Sequence, residues 1–277
     1  MIWAKRHVLR VLCSLALSLA LAGCFISQGL FERERIWDPA WFGRYEAKDG
    51  VFVVLPDNPA ARTYLIGSFE REKTKVDVSR VALYRGWDDV MIIGSLVPGR
   101  AETRPAYSLL RPLGHDRFAS QWPDCSEDFA SRHQLARDNN ICSIATLDEM
   151  RALLKAWAAD KAKNPPDPES EPEPFEHRRD HPLSTIGVTA SAGFFTDSEG
   201  VHGGLKLINV PAASPAAKAG LKPGDQIFAV GNARPAIGEE LLLRIAVAAP
   251  GTNLVVTIFD GKTHAKRDVT IVTAAID

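Results

Sequence analysis

The sequence predicts an α+β, mostly β chain. It reads as an N-terminal antiparallel β-sheet or barrel-like domain ending in a helix, an acidic proline-rich linker, and a second folded unit. Three observations carry this. Residues 39 to 122 are strand-length apolar runs broken by turn signals at roughly ten-residue spacing. Residues 146 to 157 place one apolar stripe at helical spacing. Between Asn164 and Pro174 there is almost no apolar side chain. The expected divisions are 1–23, 24–38, 39–162, 163–182 and 183–277.

At the N-terminus, Lys5, Arg6, His7 and Arg10 precede an apolar run from Val11 to Leu21, closed by Leu21-Ala22-Gly23-Cys24. A basic start, a short apolar core and small residues before a cut site describe an export signal. The run is shorter than the about 20 residues a membrane-spanning helix needs. A cysteine directly after the small pair resembles the lipobox of bacterial lipoproteins. The resemblance implies that residues 1–23 are removed and that Cys24 becomes an acylated first residue. Several acyl chains on one residue hold a protein firmly to a membrane. Phe25 is not the Asp that resembles an inner-membrane retention signal, so the expected place is the inner leaflet of the outer membrane, facing the periplasm. The alternatives are an ordinary secretory signal with an incidental cysteine, or a buried N-terminal helix. Residues 24–38 are expected to form a tether.

The cysteines agree with export. With Cys13 in the signal and Cys24 acylated, Cys125 and Cys142 remain, and two thiols in an oxidising compartment favour one disulfide. Half a metal site or two buried thiols are the other readings, but no histidine stands at zinc-ligand spacing from either cysteine.

Within 39–162, Val51 to Leu55 follows the Lys48-Asp49-Gly50 turn, and Pro56-Asp57-Asn58-Pro59 breaks the chain before Thr63 to Phe69. Val76 to Arg85 and Val90 to Leu96 flank Gly86-Trp87-Asp88-Asp89. Ala106 to Leu110 and Arg117 to Trp122 flank Gly114-His115-Asp116. Thr146 and Glu149 form a capping box, after which Leu147, Met150, Leu153, Leu154 and Trp157 share a helix face. Trp41, Phe42, Tyr45, Trp87, Tyr107 and Trp122 either line an apolar ligand cavity or serve as core and cross-strand partners.

Prolines and mutually repelling glutamates keep the stretch from Asn164 to Pro174 from forming a core, so it reads as an extended spacer. A proline-rich recognition site is the less favoured reading.

The C-terminal unit contains Ser214-Pro215-Ala216-Ala217-Lys218-Ala219-Gly220-Leu221-Lys222-Pro223-Gly224-Asp225-Gln226-Ile227. Ser214 caps a short helix, Pro215 takes its first position, and Gly220 ends it. A strand over 226–230, a helix over 238–248 stopped by Pro250-Gly251, and a hairpin over 254–259 and 266–272 follow. The motif resembles a PDZ domain of the bacterial periplasmic-protease (trypsin-like, HtrA-type) kind. The resemblance implies strand addition, in which an extended peptide pairs with a sheet edge. It places a carboxylate-binding loop at Thr185-Ile186-Gly187-Val188, followed by an edge strand with Thr189 and Ala190. The groove helix is expected to turn Leu241 and Ile245 to the core and Glu240, Arg244 and Val247 to the peptide. Residues 193–204 read as an inserted loop able to shade the groove. The alternative is a PDZ fold used only for packing.

Composition excludes little else. The chain has 277 residues, a formal net charge of -1, 45% hydrophobic and 24% charged residues. It lacks the basic excess of a nucleic-acid binder. There is no Gly-Asn-Ser-Gly-Gly or Gly-x-Ser-x-Gly nucleophile motif, no His-Glu-x-x-His and no phosphate loop. The histidines on polar or turn segments, His177 among them, read mostly as solvated surface residues. The expectation is a non-enzymatic, lipid-anchored adaptor with no cofactor, metal or catalytic residue. It would recognise a protein partner or exposed C-terminal peptide. The alternative is a β domain that binds a lipid or other apolar ligand, with the second unit as a docking module.

Overall fold

A computed structural model describes residues 25–27, 31–70, 76–96, 106–138, 141–163, 174–197, 200–260, 262–263 and 265–276. The expected signal (1–23), Cys24 and most of the acidic spacer lie outside the described residues. The first half runs β1 (Phe25–Ser27), β2 (Arg35–Ile36), β3 (Gly43–Ala47), β4 (Gly50–Asn58), β5 (Thr63–Glu70), β6 (Val76–Arg85), β7 (Met91–Leu96), β8 (Ala106–Gly114) and β9 (Arg117–Gln121). Then come α1 (Glu127–Arg132), β10 (Arg137–Asp138), β11 (Ile141–Ile144), α2 (Leu147–Lys163) and β12 (Phe175–His177).

Strands β3 to β9 form an antiparallel meander, and β12 inserts between β9 and β3 to close an eight-stranded barrel. The turns are those the residues dictate. The Gly86 N–H donates to the Val90 carbonyl (3.0 Å) and the Val90 N–H to the Trp87 carbonyl (2.9 Å), closing a turn in which Asp88 has φ 48°. His115 and Asp116 adopt positive φ between β8 and β9. β12 covers the facing edges of β9 at Arg117–Phe118 and of β3 at Tyr45–Glu46, which limits the edge open to another chain.

Alternation along the strands sorts the side chains. Phe52, Val54, Tyr64, Ile66, Val81 and Leu83 point into the lumen. Their neighbours point outward and are buried all the same. Ala82, Tyr84, Ile92 and Leu109 pack beneath α2, against Met150, Leu154 and Trp157. The capping box holds the start of α2: the Glu149 N–H donates to Thr146 Oγ1 (3.1 Å), and Glu149 Oε2 accepts from the Ala145 N–H (2.9 Å). Cys125 and Cys142 form the expected disulfide, with Cα atoms 5.7 Å apart, in the same cluster.

Three sequence expectations change here. Within the expected tether 24–38, residues 25–27 and 35–36 are not free, because β1 pairs with β8 and β11, and β2 pairs with β6. Arg35 is buried, donating to the Ala61 carbonyl (3.0 Å), and Arg62 donates to the Arg35 carbonyl (2.7 Å). The expected spacer 163–182 contains a barrel strand. β12 is fastened by Arg178 to Glu46 (2.8 Å) and by Arg179 to Asp116 (2.9 and 3.0 Å). His177 is consequently not a surface histidine: it is 7% exposed and stacks on Tyr45, with centroids 4.4 Å apart.

The second half contains β13 (Ser184–Thr185), β14 (Thr189–Asp197), β15 (Gly200–Asn209), α3 (Pro215–Lys218) and β16 (Gln226–Val230). It ends with α4 (Glu239–Val247), β17 (Asn253–Phe259), β18 (Lys266–Val272) and β19 (Ala274–Ala275). β14 to β18 form one antiparallel sheet in that order, and β13 pairs with β19. Leu205, Leu207, Ile227, Leu241, Ile245 and Val256 build its core. Gly220, φ 84°, ends the helical turn of α3 as its sequence position requires.

The two halves share a third apolar cluster. Leu183, Leu243 and Ala246 pack on Val53, Leu55, Leu65 and Val76 of the barrel wall. Arg80 beside it donates to both Asp57 oxygens (2.6 and 3.0 Å) and lies 3.7 Å from Glu239 of α4. Burial alone would raise the Asp57 pKa, but the Arg80 and Thr63 hydrogen bonds outweigh it and hold the carboxyl below its ordinary value. The second unit is therefore braced against the barrel through α4.

Candidate peptide-binding site

The loop Ile186-Gly187-Val188 leads from β13 into β14, and its shape follows from its neighbours. Ser214 caps α3 by accepting from the Ala217 N–H (3.1 Å). The start of that helical turn then holds the loop, since the Ala216 N–H donates to the Ile186 carbonyl (3.1 Å). Ile186 is buried in the core. Gly187 adopts φ 69°, and a Cβ there would lie 2.9 Å from Ser214 Cβ. Only glycine fits without strain. Its N–H donates to Thr185 Oγ1 (2.9 Å). Among the described residues, the amides of Ile186 and Val188 have no hydrogen-bond partner.

β14 pairs with β15 alone and is the outer strand of its sheet. Val188, Ala190 and Ala192 lie on the core side, while Thr189 and Ser191 face outward. The residues expected as an inserted loop, 193–204, are instead mostly the far end of the β14–β15 hairpin, paired from Gly193↔Gly204 to Asp197↔Gly200.

The register of α4 differs from the expected one. Leu241 and Ile245 do face the core. Glu240, however, is buried and ion-paired to Arg244 (2.6 Å), and Val247 packs toward the barrel cluster. Gly238 at the helix start sits over β14, where a Cβ would lie 3.1 Å from Ala192 Cα. Residues three or four apart share a helix face, so Leu242 is the side chain that follows Gly238 on this side. Leu242 also touches both the core of the second unit and the barrel cluster. The i, i+4 step from Gly238 was the sequence signal for Leu242. It was obscured because three consecutive leucines leave the helix phase open.

Recesses elsewhere among the described residues include the barrel lumen and a cleft on the helices. The barrel lumen retains a cavity of about 70 Å3 lined by Trp41, Tyr45, Tyr64, Leu110 and Phe175 among others. A polar cleft of about 440 Å3 lies between α1 and α2. Its charges are paired, Arg132 with Asp128 (3.0 Å) and Asp160 (2.6 Å), and Lys161 with Asp124 (3.4 Å). Asp124 also accepts from Trp157 Nε1 (2.8 Å). Among the described residues no group of three His, Cys, Asp or Glu side chains is placed to hold a metal.

No family model matches the sequence, and no curated protein matches it. Among solved structures, the chain is similar to the HtrA-type protease AlgW with a decapeptide, at TM-score 0.33 and 11% identity, over 86% of this chain and 62% of that one. It is also similar to the serine endoprotease from Yersinia pestis, at TM-score 0.30 and 14% identity, over 88% and 67%. The chain thus spans less than two thirds of the first of these structures. Likeness at this level does not establish a shared fold, so the functional reading rests on the geometry of this chain.

Proposed function

We propose that this chain is a lipid-anchored, non-enzymatic binding protein of the bacterial periplasm that captures the exposed C-terminus of a partner protein. The observation that carries the reading is the pairing of the Ile186-Gly187-Val188 loop with the outer strand β14. Backbone amides at the start of an edge strand suit a terminal carboxylate, and the strand supplies the ladder for the rest of the peptide. The Thr185 hydroxyl guards the Gly187 amide until a carboxylate replaces it. Val188, Ala190 and Leu242 supply the apolar surface for the peptide side chains.

Acylation at Cys24 would set the barrel close to the bilayer, because β1 starts at Phe25. The second unit, packed on the barrel, would then hold its groove at a fixed position near the membrane rather than on a long reach. The rival reading, an apolar ligand inside the barrel, is not favoured. A lumen of about 70 Å3 is well short of the roughly 300 Å3 at which small-molecule sites begin.

Selection from a displayed library of free-carboxylate peptides should enrich apolar C-terminal residues, and C-terminal amidation should abolish binding. Gly187→Glu should abolish it too, while circular dichroism checks that the sheet survives. A library that enriches nothing overturns peptide capture. Separately, cells grown with radiolabelled palmitate should label the protein and Cys24→Ala should abolish the label, and a native protein that takes up no label would remove the lipid anchor.

A further inference from the structure

β14 is longer than a C-terminal groove requires. It runs nine residues, from Thr189 to Asp197, and continues past the level of Ala192, where Gly238 starts α4. Proteins that must keep an edge strand unpaired place lysine, proline or other charges along it. Thr189-Ala190-Ser191-Ala192-Gly193-Phe194-Phe195-Thr196 has none, and the strand's one charge is Asp197 at its far end. Beyond the helix start stand two large apolar side chains, Phe194 at 69% and Val201 at 67% exposure. They share a face. Phe194 is opposite Gly203 and Thr196 is opposite Val201, on the side of the sheet that carries Ala192 and Leu205. The backbone of Ile237 covers Gly203, so Phe194 sits beside it at the open end of the groove.

We infer that the hairpin end is a second specificity pocket of the same groove, which reads an apolar or aromatic side chain at the seventh residue from the partner's C-terminus. This rests on the peptide-capture reading. The register follows from antiparallel pairing. With the carboxylate on the loop and the terminal residue opposite Val188, the third residue from the end lies opposite Ala190, the fifth opposite Ala192 and the seventh opposite Phe194. Directly opposed residues on an antiparallel ladder project to one face. The seventh residue therefore meets Phe194, with Val201 on the same face across β14 and two positions further along, while the even-numbered ones turn away. A second copy of this chain is a poorer occupant, since a paired β14 would bring no carboxylate to the loop.

The test is selection from a displayed library of random decapeptides with free C-termini, using the intact protein and Phe194→Ser. The exposed position of Phe194 leaves the fold unburdened. Apolar residues should be enriched at the seventh position from the end with the native protein and not with Phe194→Ser, while preferences at the last three positions stay the same. A selected peptide should lose about fivefold to tenfold in affinity on Phe194→Ser, as expected for one apolar side-chain contact. Its variant with Ser at the seventh position should lose nothing further. Peptides enriched at the C-terminus with no preference at the seventh position would overturn this inference and leave peptide capture standing. No enrichment at all would overturn both. Self-association abolished by Phe194→Ser, with no preference at the seventh position, would reassign the hairpin end to a contact between copies.

Discussion

Leu243→Ala tests whether the barrel and the second unit unfold as one. Leu243 is fully buried and touches Leu183 and Ala246 on one side and the barrel residues Val53, Leu55, Leu65 and Val76 on the other. It rests directly on Gly67, where an added Cβ would come within 2.8 Å of both Leu243 methyl carbons. The barrel wall beneath is backbone and cannot fall into a void. Truncation should therefore approach the middle of the range for buried leucines, about 3 kcal/mol. For a chain of this size that is a fall in Tm of roughly 6 to 12 °C. None of the six tryptophans lies after Trp157, so tryptophan fluorescence reports on the barrel half alone. If α4 braces the barrel, the fluorescence midpoint should move with the far-UV midpoint. Gly67→Ala should destabilise the native chain by overpacking yet recover part of the loss in Leu243→Ala, since its methyl fills the void. A fluorescence midpoint that stays fixed while the far-UV transition splits would refute the coupling.

Other consequences are open to measurement. A protease site engineered between Asn164 and Glu173, once cut, should leave both fragments co-eluting on size exclusion, because β12 still completes the barrel; separation would contradict that role. Phe175→Ala should lower stability by about 3 kcal/mol, since its ring packs with Phe118, Tyr45 and Phe52; chemical denaturation reads it. Reducing Cys125–Cys142 should cost roughly 3 kcal/mol, seen as a lower urea midpoint that Cys125→Ala reproduces. His177 supplies a pH dependence. Its burial, with Arg179 nearby, holds its pKa below the usual histidine value, and Asp116 only partly opposes this. The unfolded chain takes up a proton near pH 6.5, and the folded chain does so only at lower pH. This contribution is complete above about pH 6.5 and declines as pH falls below it. Urea midpoints between pH 7.5 and 5 should drop less in His177→Gln, and an equal drop would assign the dependence to other groups.

Local rules made much of the fold legible. The turns at Gly86-Trp87-Asp88 and at Gly114-His115-Asp116, the capping box at Thr146, and the Ser214-Pro215 and Gly220 bounds of α3 all act within a few residues. The loop at Gly187 was legible for the same reason, because a glycine between apolar residues marks a backbone turn that side chains disfavour. Pairing at a distance was not. β12 has three residues, too few for periodicity, and lies in a segment whose composition reads as spacer; only the gap between β9 and β3 makes it a strand. Residues 25–36 read as a tether because their partners on β6, β8 and β11 are remote in the chain. Likewise, three adjacent leucines at 241–243 determine that α4 buries itself, yet not which side meets which surface. The sequence by itself determined the local elements, the disulfide partners and the loop that opens β14. Tertiary structure alone decided the eighth barrel strand, the packed lumen, and the placement of Leu243 on the barrel wall and Leu242 beside the groove. Those outcomes depend on complementary surfaces that no single stretch of chain contains.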